Sequence, residues 1–143
     1  MRKAADAAPG PLSALAAALV SFAARALRHR RLAWAVSAEP VDAAVDEFRL
    51  AARRALAAEI ETRIRSAIAR GHLPEQDAGA AAAALVGLLI EGLIGPLAPP
   101  TDAGKTRENV QTITLLALRA LGVVDARARG LVVQTALPEG DAT

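Results

Sequence analysis

Nucleophiles, acids, bases and metal ligands are thinly spread along this chain. Histidine occurs only at His29 and His72, and cysteine is absent. That removes thiolate chemistry and leaves no imidazole pair at the spacing a zinc site needs. Ser13, Ser21, Ser37 and Ser66 sit in no context resembling a nucleophile elbow. Gly104-Lys105-Thr106 resembles the end of a phosphate-binding loop, but this chain has Pro99 where that motif requires glycine, and the motif also needs a preceding strand. Glu59 with Arg63, and Glu61 with Arg65, have the i,i+4 order that pairs charges on a helix surface, with Asp46 and Glu47 on the same wet side. The expectation is a protein without catalytic residues, metal or cofactor.

Binding is better signalled. Glu91 is the only charge in the apolar stretch Ala80–Leu97, among Leu85, Val86, Leu88, Leu89, Ile90, Leu93 and Ile94. A carboxylate there is costly to bury unless it is paired. It is expected at a seam between two copies of the chain, opposite Arg119 or another arginine. A ligand cavity and the solvated edge of such a seam are the alternatives. Gly87, Gly92 and Gly95 lie on or near the same helix. Glycine inside a helix costs roughly 0.5–1 kcal/mol relative to alanine, and close approach of another helix would offset that. Val110–Leu121 is similarly apolar, with Ile113, Leu115, Leu116, Leu118 and Leu121 pointing in every direction. Helices apolar all round are buried on two sides, so a second copy is expected to cover what one chain leaves bare. The candidate interface residues are Gly87, Glu91, Gly92, Gly95, Thr114, Leu115, Leu118 and Arg119.

These residues need helices to carry them. Of 143 residues, 53% are hydrophobic, yet Phe22, Trp34 and Phe48 are the only aromatics and alanine supplies much of the rest. Alanine favours helix and β-branched residues are scarce, so an all-α fold is expected. A net charge of +2 with acidic residues interspersed offers no broad basic face for nucleic acid. No uninterrupted apolar run reaches the roughly 18–20 residues of a membrane span, and the lack of cysteine fits a reducing cytoplasm.

Pro9-Gly10-Pro11 breaks a short N-terminal helical segment, so residues 1–11 read as the end of a helix and a turn. Helices are then expected over about Leu12–Arg28, Leu32–Ala38, Val41–Arg70, Asp77 to Gly95-Pro96, and Lys105–Leu121. Asp77 suits an N-cap, and Gly71 and Gly122 suit helix stops. The long helix has an apolar stripe through Val41, Val45, Phe48, Ala52, Leu56, Ile60, Ile64 and Ile68. Residues 12–122 form the domain, and 123–143 read as a flexible tail.

Phe22, Trp34 and Phe48 fall on three successive helices and are expected to face one interior, either a filled core or a cavity of ~300–1,000 Å³. The candidate lining is Phe22, Trp34, Phe48, Ala52 and Leu88, with Arg25, Arg49 or Arg53 as a polar anchor for a small, largely apolar ligand. The cluster Arg25–Arg31, with His29, otherwise reads as a solvated helix end that complements the helix dipole.

The run Arg31–Asp42, the long helix ending in Ala69-Arg70-Gly71-His72-Leu73-Pro74, and the stretch Ala83–Leu97 together resemble the C-terminal regulatory domain of the TetR-like (TetR/AcrR) transcriptional repressors. The resemblance covers about Leu12–Gly122. It implies a cytoplasmic, effector-sensing five-helix domain whose first helices surround a pocket and whose last two long helices form a four-helix bundle with a second copy. It also implies that DNA is contacted only through an N-terminal helix-turn-helix head, which this sequence does not contain. The alternative is a headless helical homodimer or partner-binding module without a pocket.

Overall fold

In the computed structural model, residues 1–38, 42–99 and 103–135 are described, and Val41 of the expected stripe lies outside them. The regular elements among them are helical: α1 Arg2–Asp6, α2 Pro11–Arg28, α3 Arg30–Ala38, α4 Ala43–Ala69, α5 Ala78–Leu93, a 3-10 turn Ala103–Lys105, α6 Thr106–Ala120 and α7 Asp125–Gln134. The all-α expectation holds.

Helix α2 is the axle of the fold. Pro11 occupies its first turn after an extended Gly10, where the missing N–H costs nothing. Alanines at 14, 16, 18, 23, 24 and 26 are buried on several sides, alongside Leu12, Leu15, Leu19 and Val20. Small side chains all round let α1, α4 and α6 pack directly on it, with α3, α5 and α7 at its margins. By length and composition α2 meets the criterion for a membrane-crossing helix (18 residues, mean hydropathy 1.3), although 67% of it is buried inside the fold. It holds no unbroken apolar run of that length, because Ser13, Ser21, Arg25 and Arg28 interrupt it.

Helix α4 is amphipathic only in its second half. Ile60, Ile64 and Ala67 are buried there, whereas Val45, Phe48 and Ala52 are exposed. The reason is length. At 27 residues α4 runs about 40 Å, against about 24 Å for the 16-residue α5 that packs along it. The first half overhangs, tied to α3 by Arg49, which is buried and donates from Nη2 to the Ala35 carbonyl. Asp42 caps this end, accepting from Ala44 N at 3.0 Å and Val45 N at 3.1 Å.

Asp77 caps α5 as expected, accepting from Gly79 N at 2.9 Å and Ala80 N at 3.0 Å. The apolar circumference of α5 is mostly covered by its own chain. Leu85, Val86, Leu89, Ile90, Leu93 and Ile94 are buried, and Leu88 is half-buried. In α6, Ile113 and Leu118 are buried and Leu116 is half exposed. One chain therefore covers more than one side of each helix, because α5 is wedged among α4, α2 and α6.

Gly122 closes α6 with φ 90°, and a Cβ there would also sit 2.9 Å from Pro74 Cγ. Gln76 Nε2 reaches across to the Leu121 carbonyl at 3.0 Å, joining the two helix-end loops. The expectation of a tail after Val123 fails over 125–134. There α7 buries Ala128 and Val132 and is stapled to α6 by Arg119, which donates to Asp125, as does Arg129 at 2.8 Å. Its weak periodicity (Ala128, Leu131 and Val132 amid arginines) concealed it.

Thr114 is fully buried in α6, and its hydroxyl has no hydrogen-bond partner among the described residues. An unsatisfied buried hydroxyl is a net cost. Thr114→Val should raise unfolding free energy by about 1 kcal/mol in urea titrations; a loss of stability would show that the hydroxyl is satisfied in solution.

Candidate functional site

Two surfaces on α5 lie side by side, a groove against α4 and an open face toward α6. Gly79 lies beside Glu61, so α5 runs back antiparallel along α4. Arg53, Arg54 and Ala57 of α4 come together along this hairpin with Ala83, Val86, Ile90 and Glu91 of α5. Together with Gly87 these residues line a groove of about 340 Å³. Its floor is aliphatic, because Val86 and Ile90 are buried, and Arg53, Arg54 and Glu91 are its charged residues. A second concavity of about 400 Å³ lies between α1, α2 and α7, lined by small residues such as Ala4, Ala8, Ser13 and Ala17. It carries no ionisable side chain. A third, of about 120 Å³, lies by Arg107 and Val132.

Among the described residues, the candidate ligand residues do not gather at any one of these concavities. Phe22 is half-buried and packs on the core, Trp34 is half-buried on α3, and Phe48 is 67% exposed on the overhanging part of α4. None of the three lines any of these concavities. Arg25 and Ala52 are exposed, Arg49 is spent on the α3 backbone, and Leu88 packs at the edge of the core. Only Arg53 lines the α4–α5 groove. Its companions Arg54, Ala57, Ala83, Val86 and Ile90 were missed. The signal that finds them is the helical-hairpin register, set by the short Gly71–Asp77 connection.

The candidate interface residues also divide. Thr114 and Leu118 are wholly buried within the chain, and Leu115 is half-buried. A Cβ on Gly92 would lie 2.6 Å from Ile113 Cδ1, so the close approach expected there is real, but its partner is α6 of the same chain. Gly95 is buried beside Glu91, and Arg119 is engaged with Asp125. Gly87 and Glu91 remain exposed. On α5 they share a face with exposed Ala80 and Ala84. Across the Gly92–Ile113 contact this face continues onto exposed Thr112, Leu116 and Ala120 of α6.

A third feature is electrostatic. Helix α1 is pinned to α4 by Arg2 Nε to Glu59 at 3.2 Å and by Arg63 Nη2 to Asp6 at 2.9 Å, with Glu59 and Arg63 paired at 2.7 Å. The hydrogen bond from Arg63 holds the Glu59 carboxyl below its ordinary value of 4.5, helped by the charges of Arg63 and Arg2 and opposed by burial. Bonds from Arg129 and Arg119 likewise lower Asp125.

Among the described residues no group of His, Cys, Asp or Glu is placed to hold a metal ion. Comparison with family models, curated proteins and solved structures finds no match to this chain.

A carboxylate whose folded pKa lies below its unfolded one stabilises the fold fully above the unfolded value, and that stabilisation drains away as pH falls through the folded value. For Glu59 the loss begins near pH 4.5 and continues below it. Urea midpoints followed from about pH 7 to about pH 3 should fall less steeply in Glu59→Gln than in the parent. Identical slopes would show that the α1–α4 pairs do not form in solution.

Proposed function

We propose that this chain is the effector-sensing and homodimerising domain of a TetR-like transcriptional regulator. In this reading DNA is contacted through a helix-turn-helix head outside the polypeptide described here, and the domain works in the cytoplasm without enzymatic activity. The support for dimerisation is one observation: a helix face that is exposed yet carries almost no charge. From Ala80 to Gly87 the outer side of α5 shows only alanine and glycine, and Leu116 stands 50% exposed on the adjoining side of α6. An ordinary solvent-facing helix carries polar residues there. Small residues instead permit a facing helix to approach closely. Two α5–α6 pairs meeting about a twofold axis would bury the face against itself, as a symmetric contact requires. This face is narrower than the sequence suggested, and Thr114 and Leu118 are not part of it. Glu91 stands at its edge.

Among the described residues the aromatic trio lines none of the three concavities. That separation favours the alternative of a helical dimer without a pocket in the bundle interior. The α4–α5 groove is the concavity that keeps a sensing role in view.

The dimer is tested at Gly87, where an added Cβ meets nothing within 4 Å of its own chain. Sedimentation velocity at micromolar concentration should show a dimer for the parent and a monomer for Gly87→Arg, with equal helix content by circular dichroism. A parent that sediments as a monomer, or a Gly87→Arg variant that remains dimeric, would overturn the assignment.

A further inference from the structure

The open face of α5 and the α4–α5 groove are continuous. Gly87 belongs to both: it is exposed on the face that runs from Ala80 to Glu91, and it lines the groove beside Val86 and Ile90. Whatever sits on the face therefore reaches the groove as well. The groove has a buried aliphatic floor in Val86 and Ile90, and a glycine at its edge in place of a side chain. On the α6 half of the face Leu116 stands half exposed, with exposed Thr112 and Ala120 one turn to either side. Each chain thus carries a bare apolar knob and an apolar socket. Charge points to what fills the socket. Arg54 and Glu91 line it and are exposed, and neither enters an ion pair among the described residues. Arg53, also in the lining, is already engaged within its own chain. A surface with one such cation and one such anion complements itself, because a twofold axis can set each against its opposite on the other copy.

We infer that a second copy of the chain fills this groove: Leu116 of each copy seats on Val86, Gly87 and Ile90 of the other, and Arg54 of each faces the partner's Glu91. The inference rests on the dimerising role proposed above and adds α4 to its contact. The geometry follows from four helices. Helices α4 and α6 both pack on α5 but not extensively on each other, so they flank it on different sides. When two α5–α6 pairs close about a twofold axis, each α6 comes to lie along the other copy's α5. The edge it meets is the one away from that copy's own α6, which α4 borders. Knob and socket then meet twice, as an isologous contact requires. On this account the groove is open to a small molecule only while the copies are apart.

Charge reversal tests this in trans, on the full chain, by sedimentation velocity and native mass spectrometry. Arg54→Glu alone and Glu91→Arg alone each set like charges together twice in a homodimer, and each should weaken dimerisation at least about tenfold. An equimolar mixture of the two variants pairs opposite charges at both contacts. It should give chiefly the heterodimer, with affinity within about threefold of the parent. Leu116→Asp should weaken the dimer at least about tenfold, because it puts a carboxylate on the aliphatic floor. All three positions are exposed or half exposed, and circular dichroism should show unchanged helix content. A mixture that forms no more heterodimer than chance, or a dimer indifferent to Arg54→Glu and Leu116→Asp, would leave the groove to another occupant and overturn the inference. Those results keep the dimer itself, whereas a parent that sediments as a monomer removes the dimer and this contact together.

Discussion

The fold depends on close packing around an alanine-rich helix. Ala16, Ala18 and Ala23 of α2 are wholly buried. Each is a place where a neighbouring helix comes nearer than a larger side chain would allow. Interhelical distances of about 8–10 Å are set by the residues at the contact, and alanine brings them to the short end. Six helices can therefore gather round one without large aromatics to fill gaps. A larger side chain at such a position would push out a whole element, since close-packed interiors absorb added volume only by straining rotamers or shifting backbone.

Helix α4 links the parts with functional interest. Its middle supplies Arg53 and Arg54 to the groove, and about one and a half to two and a half turns later Glu59 and Arg63 grip Arg2 and Asp6 of α1. A helix is a stiff rod over this distance. In the proposed reading, a second copy seated in the groove between α4 and α5 bears on the same rod to which α1 is docked. The α1 contact is chiefly ionic on one side and alanine packing on the other, with Ala5 buried against Ala14 and Ala18. Exposed ion pairs are individually weak.

Much of the fold was legible because helix signals are local. Asp77 before an apolar run, Gly71 and Gly122 after periodic segments, and Pro11 at a helix start each act within a turn or so, and each element they bound appears in the fold. The dependence on tertiary context explains what was not legible. The stripe Val45–Phe48–Ala52 has helical periodicity, but periodicity does not reveal that α4 outruns its neighbours and leaves those residues bare. The leucines of α5 looked too numerous for one chain to cover, because sequence does not show that α5 lies between α4 and α6 with α2 beneath. Helix α7 was hidden by alternating arginine and alanine, whose buried side is only Ala128 and Val132. The groove was legible in principle. It needed the pairing of two helices across a short turn, a step beyond reading each helix alone.

The absence of cysteine makes the central claim open to direct measurement. In a symmetric contact, only residues near the twofold axis meet their own counterparts, and a disulfide forms only when the two Cα atoms lie within about 7 Å. Single-cysteine variants placed in turn at Ala80, Ala84, Gly87, Thr112 and Leu116, with exposed Val133 of α7 as a control outside this face, can be oxidised and read on a non-reducing gel. The account predicts efficient self-cross-linking for at least one position on the α5–α6 face and none at Val133. Cross-linking at Val133 with none across α5 and α6 would contradict it.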